Sequence, residues 1–234
     1  MSKDTNFKVI KPNWVAPDNV HALQTIKNLT IDENRLNNDR IQIEDNVGIS
    51  FLRSKNKVLN QIHSNISVEL PSKSLDADAS YTFQKNIICA VRTADCMPIL
   101  VTNDEGSFVS AIHAGWRGLS TGVIEKTIKK LSPIKNLIVW IGPHISQKYF
   151  EVGPEVKEIF LDYDPTYEVA FNQSSNSKYF FSLKTIAEIK LHMLGVKNIY
   201  CMDNFCTYAN PKIFYSYRRG DLKERMTSLI WIES

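Results

Sequence analysis

PILVTNDEGSFVSAIHAGWRG, residues 98–118, holds two apolar runs on either side of a polar turn, and its reading decides the fold. PILVT and FVSAI are short, rich in β-branched residues and bounded by turn formers, so both read as strands, with TNDEGS as a hairpin turn between them. The second strand stops on His113. Gly115, Trp116, Arg117 and Gly118 follow within five positions. A helix is expected next, capped by Ser120 or Thr121 and carrying Val123, Ile124, Ile128 and Leu131 on one face.

Working outward, VGISFL (47–52), KVLNQI (57–62), ASYTF (79–83) and IICAV (87–91) also read as strands, separated by turn signals. On the C-terminal side LIVWIG (137–142) is a buried strand, and EVKEIF (155–160) is a short helix after Pro154. Ser182 caps an amphipathic helix carrying Leu183, Ile186, Ala187, Leu191 and Leu194, which Gly195 ends in a left-handed conformation. NIYC, FYSYR and TSLIWI close the chain as strands, and the polar run at 172–178 is a surface loop. Residues 1–46, rich in Asn and Asp, read as an irregular or partly helical lead-in packed on a single mixed α/β domain over 47–234.

The 234 residues suffice for a substantial core, and 43% hydrophobic with 23% charged residues is ordinary globular composition. A net charge of +3 gives no support to nucleic-acid binding. No run approaches the roughly 18 apolar residues of a membrane span, and the N-terminus shows no apolar leader segment. A cytoplasmic protein is expected. There the four cysteines, Cys89, Cys96, Cys201 and Cys206, would stay reduced, with Cys89 and Cys201 as small buried apolar groups.

Four segments interrupt this pattern with chemistry: NQIHSN (60–65), RTADCMPIL (92–100), IHAGWRG (112–118) and TYANPKIFYSYRRG (207–220). If His63, Cys96 and His113 converge, two imidazoles and a thiolate make a good zinc set that leaves a fourth position open, as catalytic zinc requires. The intervals of 33 and 17 residues match no local metal motif, and the alternative for each histidine is a hydrogen-bonded strand-end residue. Arg117 carries a fork suited to phosphate or carboxylate, and Arg218 and Arg219 form a second candidate anion site or a solvated basic turn. Asp95 is placed to transfer a proton or to orient a histidine ligand. Trp116 walls a pocket or packs in the core.

NQIHSN, TADCMPIL, SAIHAGWRGL, IGPHISQKYFEVGPEV and CTYANPKIFYSYRRG, in this order, resemble the multicopper polyphenol oxidase or laccase-domain family, whose members are better described as zinc-dependent purine nucleoside phosphorylases. The likeness runs from about residue 47 to the C-terminus, and HAGWRG with ADCxP is its most specific part. It implies a four-layer α/β/β/α sandwich with an internal structural duplication. It also implies His63, Cys96 and His113 as metal ligands, with Zn2+ as the cofactor and copper binding possible in vitro. The implied substrates are adenosine, inosine, guanosine and S-methyl-5′-thioadenosine, converted with phosphate to base and ribose 1-phosphate, with adenosine deamination alongside. Catalytic roles then fall to Cys96, His113, Asp95 and Arg117, and phosphate or substrate binding to Arg117, Arg218, Arg219 and His144. A monomer or weak homodimer is expected.

Two departures stand out. His144 occupies a place where the family often has cysteine or a small residue. RRGDLKERM replaces the usual continuation after the paired arginines, so Arg219 and Arg225 keep their roles on a loop of altered shape. Three other functions compete. A cysteine hydrolase would use Cys96 as nucleophile and His113 as base. Multicopper oxidation of phenols would need many more than the five histidines present, usually in His-x-His pairs. A non-catalytic zinc-stabilised binding module would have no use for an open coordination position.

Overall fold

Residues 98–118 fold as their sequence dictates, into an antiparallel hairpin that runs directly into a helix. A computed structural model describes residues 9–27, 41–45, 48–52, 58–132, 135–174 and 177–234. In chain order the strands are β1 (Val9–Ile10), β2 (Val20–Thr25), β3 (Ile41–Asp45), β4 (Gly48–Leu52), β5 (Ser67–Glu69), β6 (Ala79–Thr82), β7 (Cys89–Thr93), β8 (Met97–Asn103) and β9 (Val109–Ala114). Helices α1 (Trp116–Thr121) and α2 (Val123–Lys130) lead to β10 (Leu137–Ile141) and β11 (Glu151–Val152). Then come α3 (Pro154–Tyr163), β12 (Phe171–Gln173), β13 (Tyr179–Phe181), α4 (Leu183–Met193), β14 (Asn198–Cys201) and β15 (Met226–Ile232).

Two sheets make the framework: six strands in the order β14-β10-β8-β9-β6-β5, and four in the order β1-β2-β15-β7. Side-chain alternation along a strand divides the core in two. Met97, Ile99 and Val101 of β8 and Val139 and Ile141 of β10 face the helices, packing with Leu119, Val123, Ile124, Ile186 and Leu191. Leu100, Val109, Ala111 and Trp140 face the other way, onto Val20, Cys89, Val91, Met226 and Ile230 of the four-stranded sheet. The central strands are covered on both faces, so they are apolar runs without polar alternation. The result is a single mixed α/β domain with helices, six-stranded sheet and four-stranded sheet as successive layers.

Several local readings are corrected. Within the lead-in, expected to be irregular or partly helical, Val9–Ile10, Val20–Thr25 and Ile41–Asp45 are strands, and β2 pairs with the C-terminal strand β15. KVLNQI is not a strand over 58–62; Lys57 lies outside the described residues, as does Val47 of VGISFL. The Gln61 side chain substitutes for a ladder partner, accepting from the Arg92 amide at 2.7 Å and donating to the Arg92 carbonyl at 2.8 Å. FYSYR is not a strand either, because the Ser216 hydroxyl caps a short 3-10 turn over Tyr217–Arg219. The surface loop read at 172–178 is narrower than expected: Phe171–Gln173 and Tyr179–Phe181 pair as a hairpin around it. The cap of α2 is Gly122, at φ +87°, where the chain breaks between two short helices. The Ser120 and Thr121 hydroxyls instead donate back to the Arg117 carbonyl, each at 2.9 Å. Leu194 lies past the end of α4 and is exposed, whereas Ser182 caps that helix and Gly195 is left-handed, as the sequence indicates.

Candidate active site

Register places the first two candidate ligands together. Met97 pairs with Ala114 and Pro98 with His113, so continuing the antiparallel pairing sets Cys96 against Gly115. Residues paired across the strands share a face, which puts Cys96 and His113 diagonally adjacent on one side of the hairpin. His113 has the same parity as Val109 and Ala111, so the site sits at one end of the core between the two sheets. A Cβ on Gly115 would lie 3.0 Å from Cys96 Sγ and 3.4 Å from the His63 ring. That close approach explains the glycine between His113 and Trp116.

His63 arrives from the loop before β5 with φ +58°, a conformation that costs energy unless its surroundings hold it. Asp78 holds it. This carboxylate, fully buried immediately before β6, accepts hydrogen bonds from the amides of Ile62, His63 and Ser64 and from the Ser64 hydroxyl. Its Oδ1 also lies 2.8 Å from His113 Nδ1, and its backbone carbonyl accepts from the His113 amide at 2.7 Å. One side chain therefore bonds both the His63 amide and the His113 ring, and leaves His113 Nε2 as the candidate ligand nitrogen. Ligand atoms of His63, Cys96 and His113 all lie within 4.8 Å of one another, with the two imidazoles edge to face at 4.9 Å.

The electrostatics suit a cation. Burial would raise the Cys96 thiol, but the adjacent His113 and His63 outweigh it and bring the pKa down to about 6. Burial would lower His113, but the Cys96 sulfur and Asp78 raise it to about 9. Burial likewise works against Asp78, whose bonds from His113 and Ser64 hold it below the ordinary carboxylate value. Two nitrogens and a sulfur converge, one nitrogen is oriented by a carboxylate, and the third ligand approaches through a gap kept open by a missing Cβ. This donor set fits zinc.

The three residues open onto a cavity of about 560 Å3. Arg117, Arg218, Lys223 and Arg225 line it, with Arg92 and with Trp116, Phe150 and Tyr217 as aromatic walls. The Arg117 guanidinium lies over the Trp116 ring at 4.4 Å, and Arg218 over Phe150 at 5.3 Å. Trp116 is thus a wall of the pocket and also packs, half-buried, against the core.

Asp95 lies in the cavity wall, yet its carboxylate turns from the histidines. Oδ1 accepts from the Thr207 hydroxyl at 2.6 Å, and Oδ2 from the Ser216 hydroxyl at 2.9 Å and the Arg218 amide at 2.7 Å. Its geometry anchors the arginine loop, and the histidine-orienting position belongs to Asp78. Two predicted residues are not brought to the cavity. Arg219 spends its fork on the carbonyls of Thr207, Tyr208 and Phe214 and on Asp221, 2.8 Å away. His144 meets the Gly142 carbonyl through Nδ1, 2.8 Å away, and lines a separate cavity of about 90 Å3 beside Cys206. All four cysteines are free thiols. Cys89 is buried and pushed up to about 12, as a small apolar residue should be. Cys201 is only half-buried but is also pushed up to about 12 by burial.

Sequence reasoning missed Asp78, Gln61 and Lys223. The signal for Asp78 was a carboxylate between Ala77 and Ala79, immediately before an apolar strand.

Residues 23–233 match the family described as multi-copper polyphenol oxidoreductase laccase. The chain belongs to that family. It is 36% identical to a purine nucleoside phosphorylase of Haemophilus influenzae, over 97% of this chain and 100% of the relative. It is 41% identical to the purine nucleoside phosphorylase YfiH of Escherichia coli, over 77% of this chain and 75% of the relative. A crystal structure of a Neisseria meningitidis protein superposes with a TM-score of 0.81 at 32% identity, covering 97% of this chain and 100% of that one. YlmD of Geobacillus stearothermophilus, at 21% identity and a TM-score of 0.74 over 100% and 98% of the two chains, shares the fold.

Proposed function

We propose that this protein is a zinc-dependent purine nucleoside phosphorylase with adenosine deamination as a second activity. Adenosine, inosine, guanosine and S-methyl-5′-thioadenosine are its substrates with phosphate. The observation that carries this reading is the convergence of His63, Cys96 and His113 on a cavity lined by Arg117 and Arg218, neither of them within 4.0 Å of a carboxylate among the described residues. The names of the relatives point the same way.

His63, Cys96 and His113 would hold the zinc, which supplies Lewis acidity when bound. Arg117 and Arg218 bind phosphate, their planar forks held by stacking on Trp116 and Phe150. Asp95 is a positioning residue that sets Arg218 through its backbone amide. Asp78 is a second one, fixing the tautomer of His113. The aromatic walls sandwich the purine and exclude water, so charge developing on the departing base is stabilised in a low dielectric. Arg219 and His144, both outside the cavity, shape the loops around it. We place the protein in the cytoplasm, where Cys96 stays reduced, as a monomer or weak homodimer.

Incubated with adenosine and phosphate, the protein should release adenine and ribose 1-phosphate, with some inosine. Without phosphate, base release should stop while inosine formation continues, and Cys96→Ala should lose both activities. Equal base release by wild type and Cys96→Ala would overturn the proposal.

One observation supports a second reading. Cys96, His113 and Asp78 form a continuous thiol–imidazole–carboxylate chain, the order used by cysteine hydrolases. Zinc and a thiol nucleophile compete for the same sulfur, so metal content separates the two.

A further inference from the structure

Several cations elsewhere on the chain pair with carboxylates. Lys157 pairs with Glu168 at 2.9 Å, Lys178 with Glu151 at 3.1 Å, Lys190 with Glu125, and Arg219 with Asp221 at 2.8 Å. At the large cavity four cations besides Arg92 share one space. Among the described residues, Arg117, Arg218, Lys223 and Arg225 have no carboxylate within 4.0 Å, though all four line one space. The one acid among the described lining residues is Asp95, and both its oxygens are already committed to the arginine loop. Arg225 instead donates to the carbonyls of Glu224 and Asp221 and lies 5.9 Å from the Tyr217 ring.

Like charges crowded around one cavity repel each other unless an anionic ligand supplies the missing charge. One inorganic phosphate, bound by Arg117 and Arg218, leaves Lys223 and Arg225 unmatched. These two sit two residues apart on the 221–225 segment, far in sequence from His63, Cys96 and His113. A cavity of about 560 Å3 is large enough for a nucleotide-sized ligand.

We infer that the pocket contains a second anion subsite, formed by Lys223 and Arg225, and that it takes nucleosides carrying a 5′-phosphate as well as free nucleosides. The inference rests on the phosphorylase reading for its chemistry. With AMP, an oxygen of inorganic phosphate bonds to C1′ as the C1′–N9 bond breaks. The electron pair leaves on the base, which takes up a proton, and the products are adenine and ribose 1,5-bisphosphate.

Calorimetric titration of the full chain with adenosine and with AMP, at about 0.15 M salt to screen unspecific attraction, tests this. AMP should bind about tenfold or more tightly than adenosine. Lys223→Ala combined with Arg225→Gln should abolish most of that advantage, and Lys223→Ala alone should reduce the AMP-to-adenosine ratio several-fold. Equal affinities in the wild type, or an AMP advantage that survives both substitutions, would overturn the inference. Product analysis separates its failure from that of the underlying reading. Adenine released from adenosine, with AMP bound no more tightly, sinks the second subsite and leaves the phosphorylase. A Lys223-dependent AMP advantage with no base released from either compound leaves the subsite and sinks the phosphorylase.

Discussion

Asp78→Asn keeps the shape of the side chain and removes its charge and one acceptor. Asp78 accepts from five donors, spread over both oxygens, with no solvent access. If the new amide oxygen keeps His63 and His113, the NH2 group beside it faces the amides of Ile62 and Ser64 and the Ser64 hydroxyl, all of them donors. Hydrogen bonds to a charged group contribute about 1.5–3 kcal/mol each, and a buried donor left unpaired costs about 1–3 kcal/mol. Allowing for relaxation of the 62–64 loop, the expected loss is about 3 kcal/mol. For a chain of this size that is roughly 6–12 °C in Tm. The effect on the metal should be larger than stability alone implies. With the amide bonds weakened, His63 loses the carboxylate that its amide meets at φ +58°, and His113 loses its anionic partner. Removing such a partner typically reduces metal affinity about 10–100-fold. Competition against a chromophoric chelator measures zinc affinity, and urea unfolding of the metal-free protein measures stability. A variant that unfolds more easily but binds zinc as tightly as the wild type would refute the argument that Asp78 organises the ligands.

Gly115→Ala should spare the fold, since Gly115 has φ −78° and ψ 168°, open to alanine, yet it should push on Cys96 Sγ at 3.0 Å. We expect zinc affinity to fall about tenfold with stability changed by less than about 1 kcal/mol, and an unchanged affinity would show that the ligands do not need the gap. Arg117→Lys keeps the charge and loses the planar fork, so kcat/KM for phosphate should drop about tenfold or more; an unchanged phosphate dependence moves the role to Arg218. Asp221 is held below its ordinary value of 3.8, first by the Ser216 amide and also by Arg219 and Lys27, against some burial. A lowered pKa means stability present above 3.8 and lost as pH falls through the folded value. Asp221→Asn should therefore lower Tm at about pH 7, with the deficit shrinking below about pH 4, and a deficit constant from about pH 7 to about pH 3 would rule out the charge contribution.

The candidate metal-binding group was legible because residue type and the family pattern agreed, and because the 98–118 hairpin sets Cys96 beside His113 through register alone. Its geometry was less legible. No local pattern says that a carboxylate at 78 will reach both the 62–64 loop and a ring 35 residues away. Arg218 and Arg219 are equivalent in the sequence. Only the packed loop separates them: Asp221 and three carbonyls take the Arg219 fork, whereas Arg218 lines the cavity with one Nη donating to the Glu151 carbonyl at 2.9 Å. Apolar runs at 58–62 and 214–218 misled because strand propensity there yields to tertiary hydrogen bonds from Gln61 and Ser216. β2 escaped because VHALQT lacks alternation and its partner lies at the other end of the chain.

X-ray absorption at the zinc edge, on protein purified without chelator, tests the central claim most directly. The account predicts close to one zinc per chain, with one sulfur and two nitrogen ligands from the protein, and loss of most of the metal in Cys96→Ser. A protein free of metal, whose Cys96 reacts rapidly with iodoacetamide at neutral pH, would contradict it and put the thiol nucleophile in its place.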